Sequence, residues 1–200
     1  MKEKHLNNPK QVKVGDKIYK LNTDFRVALK CVKVAQDKNI GNHEKALALI
    51  YLLYGEEGLN NSKDYEQLLR LATKYLACNR EVKKTNDKRD MDFEQDWIYI
   101  KASFMSDYHI DLDSVQMHWW DFQGLMNGLS NSEMGNCCIL NRIRNIRTMD
   151  LSEIKNPKTK NKLVELKKEF ALKQEEKEPT REQGDNALRF FKEMGLYKGE

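Results

Sequence analysis

Two short stretches of this chain carry side chains from which a chemical site could be assembled. His109, Asp111, Asp113 and His118 put two imidazoles and two carboxylates close together in sequence, a donor set able to hold a divalent metal. Upstream, Asp92 and Asp96 stand one helical turn apart, as a general acid and a general base can. Both groups have a plainer explanation. The His/Asp series straddles an expected helix boundary and lacks the i, i+4 pairing of two metal-binding histidines on one helix face, so helix capping accounts for it better. Asp92 and Asp96 open a helix, where carboxylates complement the positive end of the helix dipole. No functional metal and no catalytic pair are expected.

Other chemistries lack their signatures. No G-x-G-x-x-G or G-K-[ST] occurs, and Ser130 has no nucleophile-elbow context. Gly124 and Gly128 sit inside a helical pattern, where close helix packing explains them. The cysteines are Cys31, Cys78 and the adjacent Cys137-Cys138, with no C-x-x-C; reduced thiols in a cytosolic chain are the simplest account. Arg142, Arg144 and Arg147 form a weak basic cluster. With 35 cations against 31 anions and a net charge of +4, electrostatics alone names no partner.

The aromatic blocks carry more information. Asp92-Phe93-Glu94-Gln95-Asp96-Trp97 is followed by His118-Trp119-Trp120-Asp121-Phe122. Trp and Phe bring the largest apolar surfaces available, so these segments read as core, with Trp97 and Trp119 buried against each other's helices. Adjacent tryptophans cannot both point inward on one helix, so Trp120 is the candidate for a contact surface. Stacking on nucleic-acid bases is the alternative use of the pair.

The elements that must carry these residues are mostly helical. Three prolines and ten glycines in 200 residues leave long stretches free for helix, and 33% charged residues imply a modest core with a solvated exterior. A hairpin is expected at about 10–21, turning at Gly15. Helices come next: one capped by Asn22-Thr23-Asp24 and carrying Phe25, Leu29 and Val32; one from His43 to Tyr54, stopped by Gly55-Glu56-Glu57-Gly58; and one capped by Ser62 with Leu68, Ala72 and Tyr75. After a polar connection at 79–91, a helix starts near Asp92 with Ile100 and Phe104. The next is capped by Asp111 to Ser114 and carries Val115, Trp119, Phe122, Leu125 and Leu129. Another runs from Glu133 to Asn145. Past Asp150, Lys and Glu dominate and the stripe thins to Leu163, Leu166 and Phe170, a protruding helix that needs a partner or the domain surface. Pro179 ends it, and Ala187 to Met194 adds Leu188, Phe190 and Phe191. No stretch approaches membrane-spanning length. The expectation is a mostly α chain: a compact helical domain over 1–155 with its N-terminal hairpin, and a charged C-terminal helical extension over 156–200.

The hairpin, Asn22-Thr23-Asp24-Phe25-Arg26, Asp92-Phe93-Glu94-Gln95-Asp96, His118-Trp119-Trp120-Asp121-Phe122 and Gly128-Leu129-Ser130, in this order, resemble the "gene product fifteen" proteins of tailed phages and prophages of low-GC Gram-positive bacteria. The resemblance covers roughly residues 10–155. It implies a part in building the phage tail, since such proteins are encoded between the tail-tube and tape-measure proteins, a position held by tail assembly chaperones. The implied function is non-enzymatic, without cofactor: binding the tape-measure protein and recruiting major tail (tube) subunits. A minor tail protein retained in the virion is the alternative, and a nucleic-acid-binding regulator a further one. The implied setting is the host bacterial cytoplasm during assembly, with the protein absent from the mature virion and forming homo-oligomers. The residues expected to touch partners are Trp120, Leu163, Leu166, Phe170, Leu188 and Phe191.

Overall fold

The computed structural model describes residues 8–81, 89–131, 137–152 and 154–173. Among these residues it holds seven α-helices and one two-stranded antiparallel sheet near the N-terminus. The chain is mostly α, with the hairpin and the C-terminal helix that the sequence predicts. Its contacts define two compact units. The first takes residues 8–81 together with Met117–Trp120, and the second takes the other described residues.

In the first unit, β1 (Gln11–Val14) and β2 (Lys17–Lys20) pair with Val12 opposite Tyr19. Gly15 makes the turn at φ +59°, a conformation that costs glycine nothing. One face of the hairpin buries Val14 and Tyr19. The Tyr19 hydroxyl donates to Asp64 at 2.5 Å, so the buried ring keeps a polar partner. Helix α1 (Phe25–Gln36) starts where Asp24 accepts the Arg26 N–H at 2.8 Å, an N-cap bond. Its buried residues are Phe25, Ala28, Cys31 and Val34. Leu29 and Val32, expected on that stripe, are only half-buried. The inward face combines Phe25 and Val34 with the small Ala28 and Cys31, and α1 lies against α2.

Helix α2 (Asn42–Leu59) is broken at the expected stop, Gly55. Gly55 interrupts it with φ +67° and ψ −160°, and helical turns resume beyond. The interruption exposes the Leu53 carbonyl, which accepts the Asn22 N–H at 2.8 Å. The kink therefore docks the chain between the hairpin and α1. This backbone region is essentially closed to residues with a Cβ. Gly55→Ala should cost about 1–3 kcal/mol, read as a lowered urea midpoint. Gly124→Ala is the control: it lies inside a helix and its Cβ would meet nothing within 4 Å, so replacement should be neutral or stabilise by up to about 1 kcal/mol. Gly124 is thus not the close-packing residue the sequence suggested, whereas a Cβ on Gly128 would come within 2.9 Å of the Tyr108 hydroxyl.

Ser62 does not cap the next helix. It begins a single 3-10 turn, Ser62–Asp64, before α3 (Tyr65–Leu76), which buries Leu68, Ala72 and Tyr75. Helix α2 packs on α3, and the hairpin touches both.

The second unit contains α4 (Trp97–Tyr108), most of α5 (Trp119–Gly128), α6 (Ile139–Thr148) and α7 (Pro157–Glu169). The α4 start expected near Asp92 falls at Trp97, because residues 93–96 form turns instead. Helix α5 does not begin at the Asp111–Ser114 cap but at Trp119, and Val115 lies outside it. Helix α6 is shifted C-terminally from the expected span, whose first residues, 133–136, lie outside the described residues. The core is Ile100, Phe104, Leu112, Phe122, Leu140 and Ile143, with Phe104 stacked on Phe122 at 5.3 Å between centroids. The buried Ser103 hydroxyl accepts the Leu140 N–H at 3.1 Å, satisfying one of the free donors at the start of α6. Asn156 caps α7 through the N–H groups of Lys158 and Thr159, with Pro157 as first residue. Pro179 and the segment Ala187 to Met194, with Leu188, Phe190 and Phe191, lie outside the described residues.

Candidate functional site

The residues whose types suggest chemistry are engaged in local structure. Asp111 accepts the Asp113 N–H at 2.9 Å, and that backbone bond is the main reason its carboxyl lies below the usual range. Asp113 pairs with Lys101 at 2.8 Å. His109 closes α4 in the left-handed region at φ +55°. His118 accepts the Trp120 N–H on Nδ1 at 3.0 Å, and its Nε2 lies 3.0 Å from the Pro9 carbonyl. A carbonyl only accepts, so this geometry fits the tautomer with its proton on Nε2. The ring is thereby the N-cap of α5. Among the described residues, no three His, Cys, Asp or Glu side chains converge as metal ligands do. The Cys31 thiol is buried, and burial pushes it up to about 12, away from nucleophilic use.

Asp92 and Asp96 are not an acid–base pair facing a cleft. Asp92 accepts the N–H groups of Glu94 and Gln95, both at 2.8 Å. Asp96 is 1% exposed; it accepts the Asp92 N–H at 2.9 Å and both terminal nitrogens of Arg147 at 2.7 Å. Arg147 also donates to the carbonyls of Asp90 at 2.8 Å and Phe170 at 2.6 Å. One guanidinium thus ties the start of α4 and the end of α7 to α6. Nothing in the spacing of Asp96 and Arg147 announces this pair, and the arginine cluster is correspondingly not a free basic patch. Arg144 binds Asp90 at 2.8 Å, and of the three arginines Arg142 is exposed.

The tryptophans divide differently from expectation. Trp119 is 2% exposed, while Trp97 is half-buried at the head of α4. Trp120 is also half-buried. It stacks on Tyr75 at 6.1 Å with His118 edge-on to both rings. The adjacent indoles do one job together: Trp119 Nε1 donates to the Leu76 carbonyl at 3.0 Å and Trp120 Nε1 to the Tyr75 carbonyl at 2.9 Å. These are end carbonyls of α3, beyond its regular hydrogen-bond ladder; that of Tyr75 also accepts the Cys78 N–H at 2.9 Å. The twin tryptophans are a C-terminal cap supplied from a distant segment.

The expected contact stripe on α7 is partly used internally. Leu163, Leu166 and Phe170 are all half-buried, α7 packs on α6, and Phe170 meets Tyr99 edge-to-face at 6.4 Å. Leu188 and Phe191 lie outside the described residues. The open apolar surface lies elsewhere, on α4. Ile98 is 67% and Met105 47% exposed, and exposed Ala102 lies between them. Their i, i+4, i+7 spacing puts the three on one helix face, opposite the buried Ile100 and Phe104. Periodicity does not single this face out, because the aromatic stripe of the same helix dominates its pattern.

The chain is thus mostly α, with a small hairpin, a capped aromatic cluster and an apolar face on α4 open to solvent. Residues 6–172 match the bacteriophage Gp15 protein family, to which this chain belongs. The match runs beyond the 10–155 of the resemblance and takes in α7. It makes the chain a bacteriophage protein. No curated protein matches it, and no solved structure does. Among the described residues no helix is long and apolar enough to cross a membrane.

Proposed function

We propose that the protein is a non-enzymatic tail assembly chaperone, which binds the helical tape-measure protein of its phage and brings tail-tube subunits to it. The observation that carries this reading is the exposed Ile98–Ala102–Met105 face of α4 in a member of a phage protein family. A helix presenting apolar residues at i, i+4 and i+7 suits a second amphipathic helix laid alongside it, and a long helical protein offers many such segments. The half-buried Leu163 and Leu166 of α7 are secondary contacts in this reading, and homo-oligomers protect the apolar face before the partner arrives. The host cytoplasm is the place of action.

Co-expression tests it. The tape-measure protein of the same genome should stay soluble and co-purify with the full chain, and should lose both properties with the variant Ile98→Asp/Met105→Asp. Both side chains are largely exposed, so the variant's melting temperature should not change. A tape measure equally insoluble with and without the full chain would reject the chaperone reading. Mass spectrometry of purified particles separates it from a minor tail protein, which would be retained.

A further inference from the structure

We infer that the outer edge of the hairpin, along β2, takes a third strand from another protein: an extended acidic segment with a carboxylate and an apolar side chain two residues apart. The site lies in the first unit and does not depend on the reading of α4.

The backbone sets the geometry. The Leu21 N–H donates to the Lys10 carbonyl at 2.9 Å, which makes these two a hydrogen-bonded pair. Such pairs alternate with non-bonded ones along an antiparallel ladder. Gln11 stands opposite Lys20 and Lys13 opposite Ile18, so these four hold the non-bonded positions and aim their N–H and C=O groups away from the partner strand. Among the described residues the sheet has no third strand, and nothing there bonds to these outward groups. At the base of the hairpin the fold does supply partners. The Asn22 N–H, outward on the β2 side, donates to the Leu53 carbonyl at 2.8 Å, and the Pro9 carbonyl on the β1 side lies 3.0 Å from His118 Nε2. The edge of β2 is thus closed at its base and open from Lys20 to the turn.

The side chains say what fits. Val14 and Tyr19 turn inward, so Ile18 and Lys20 share the outer face with Gln11 and Lys13, and all four are exposed. Ile18 is 55% exposed, an apolar side chain in the middle of a strand and beside its open edge. From Lys10 to Lys20 four lysines stand against one acid, Asp16. Lys17 is drawn to Asn61 and Asp64, whereas Lys10, Lys13 and Lys20 make no ion pair among the described residues. Lysines on an edge discourage pairing between identical edges, which disfavours a second copy of this chain. The same charges favour a strand of opposite sign. Laid about 4.8 Å from β2, such a strand bonds to the N–H and C=O groups of Ile18 and Lys20. Its own outer face then sets an apolar side chain beside Ile18 and a carboxylate beside Lys20. Backbone bonds supply the affinity in this mode of recognition, and the alternate side chains choose the partner.

Amide NMR of the full chain tests it with two end-capped probe peptides, Thr-Glu-Thr-Val-Thr-Glu-Thr and the same sequence with Lys for Glu. With the acidic peptide the amide protons of Ile18 and Lys20 should move downfield and, at saturation, exchange about tenfold more slowly. Lys20→Glu should weaken the acidic peptide about fivefold and strengthen the lysine peptide by a similar factor, a reversal that a loss of folding cannot imitate. Ile18→Pro removes an outward N–H and leaves the ladder intact. It should abolish binding of the acidic peptide while the Tyr19 ring keeps its edge-on contact with Tyr54. Ile18 and Lys20 amides unmoved by the acidic peptide up to about 5 mM, weaker than almost any specific contact, would overturn the inference. So would equal binding of the two peptides. Shifts of these amides with protein concentration alone would give the edge to a second copy instead. A short DNA duplex that moves them more than the acidic peptide does would give the basic hairpin to nucleic acid.

Discussion

Arg147→Ala should lower the stability of this protein by about 3–5 kcal/mol, among the largest single-residue effects in the second unit. The side chains of Arg147 and Asp96 are 9% and 1% exposed. Removing the guanidinium leaves a buried carboxylate with one backbone N–H, and frees the Asp90 and Phe170 carbonyls at the same time. The loss comes mainly from the orphaned charge and not from the pair's net attraction, which desolvation largely offsets. Replacing both members by apolar residues of similar volume, Asp96→Leu/Arg147→Met, should therefore recover part of the deficit. Urea denaturation at low and high salt, on the order of 50 and 500 mM, checks the assignment. The deficit should be nearly the same at both, because a buried pair is poorly screened. Arg142→Ala, on the same helix but exposed, should stay within about 0.5 kcal/mol of the parent. A deficit for Arg147→Ala that disappears in salt would show a surface ion pair instead.

Trp119→Ala should be comparably damaging, at about 3–5 kcal/mol, since it empties a buried site and also removes the donor to the Leu76 carbonyl. Trp119→Phe separates the two contributions: most of the apolar body remains, and a loss of about 1–2 kcal/mol isolates the hydrogen bond with its residual cavity. Trp97→Ala should cost less than either Trp119→Ala or Arg147→Ala, because that ring is only half-buried. Equal losses at Trp97 and Trp119 would contradict the different burial of the two indoles.

The helical character, the hairpin at Gly15, the Asp24 cap and most buried apolar positions can be read from the chain, because periodicity and capping chemistry are local. The errors share one cause. Tertiary contact decides which face or which end matters. Phe25, Ala28, Cys31 and Val34, not Leu29 and Val32, line the buried side of α1, because tertiary contact turns the helix by part of a turn from the expected stripe. Residues 93–96 form turns because Asp92 and Asp96 bind backbone N–H groups there, and the bonds to Arg147 hold that arrangement. The cap that Trp120 places on α3 depends on chain folding across 45 positions, which no local pattern announces. The open face of α4 is present in the letters Ile98, Ala102 and Met105, but periodicity alone does not say which of two apolar stripes on a helix stays wet.

The four residues Met117–Trp120 that complete the first unit bear on how the protein is born. Asp24 bridges His118, the Phe25 N–H donates to the Met117 carbonyl at 3.0 Å, and the Trp119 N–H to Thr23 at 2.8 Å. Closing so long a loop costs roughly 4 kcal/mol of chain entropy. A ribosome adding roughly 5–20 residues per second delivers these four only seconds after α3 has emerged. Throughout that interval the hairpin and first three helices lack their final piece, with the end of α3 uncapped and the site of Trp119 unfilled. A nascent chain stalled before residue 117 should therefore remain protease-sensitive through α3, and acquire protection as a late, single step once the tryptophan pair has cleared the exit tunnel.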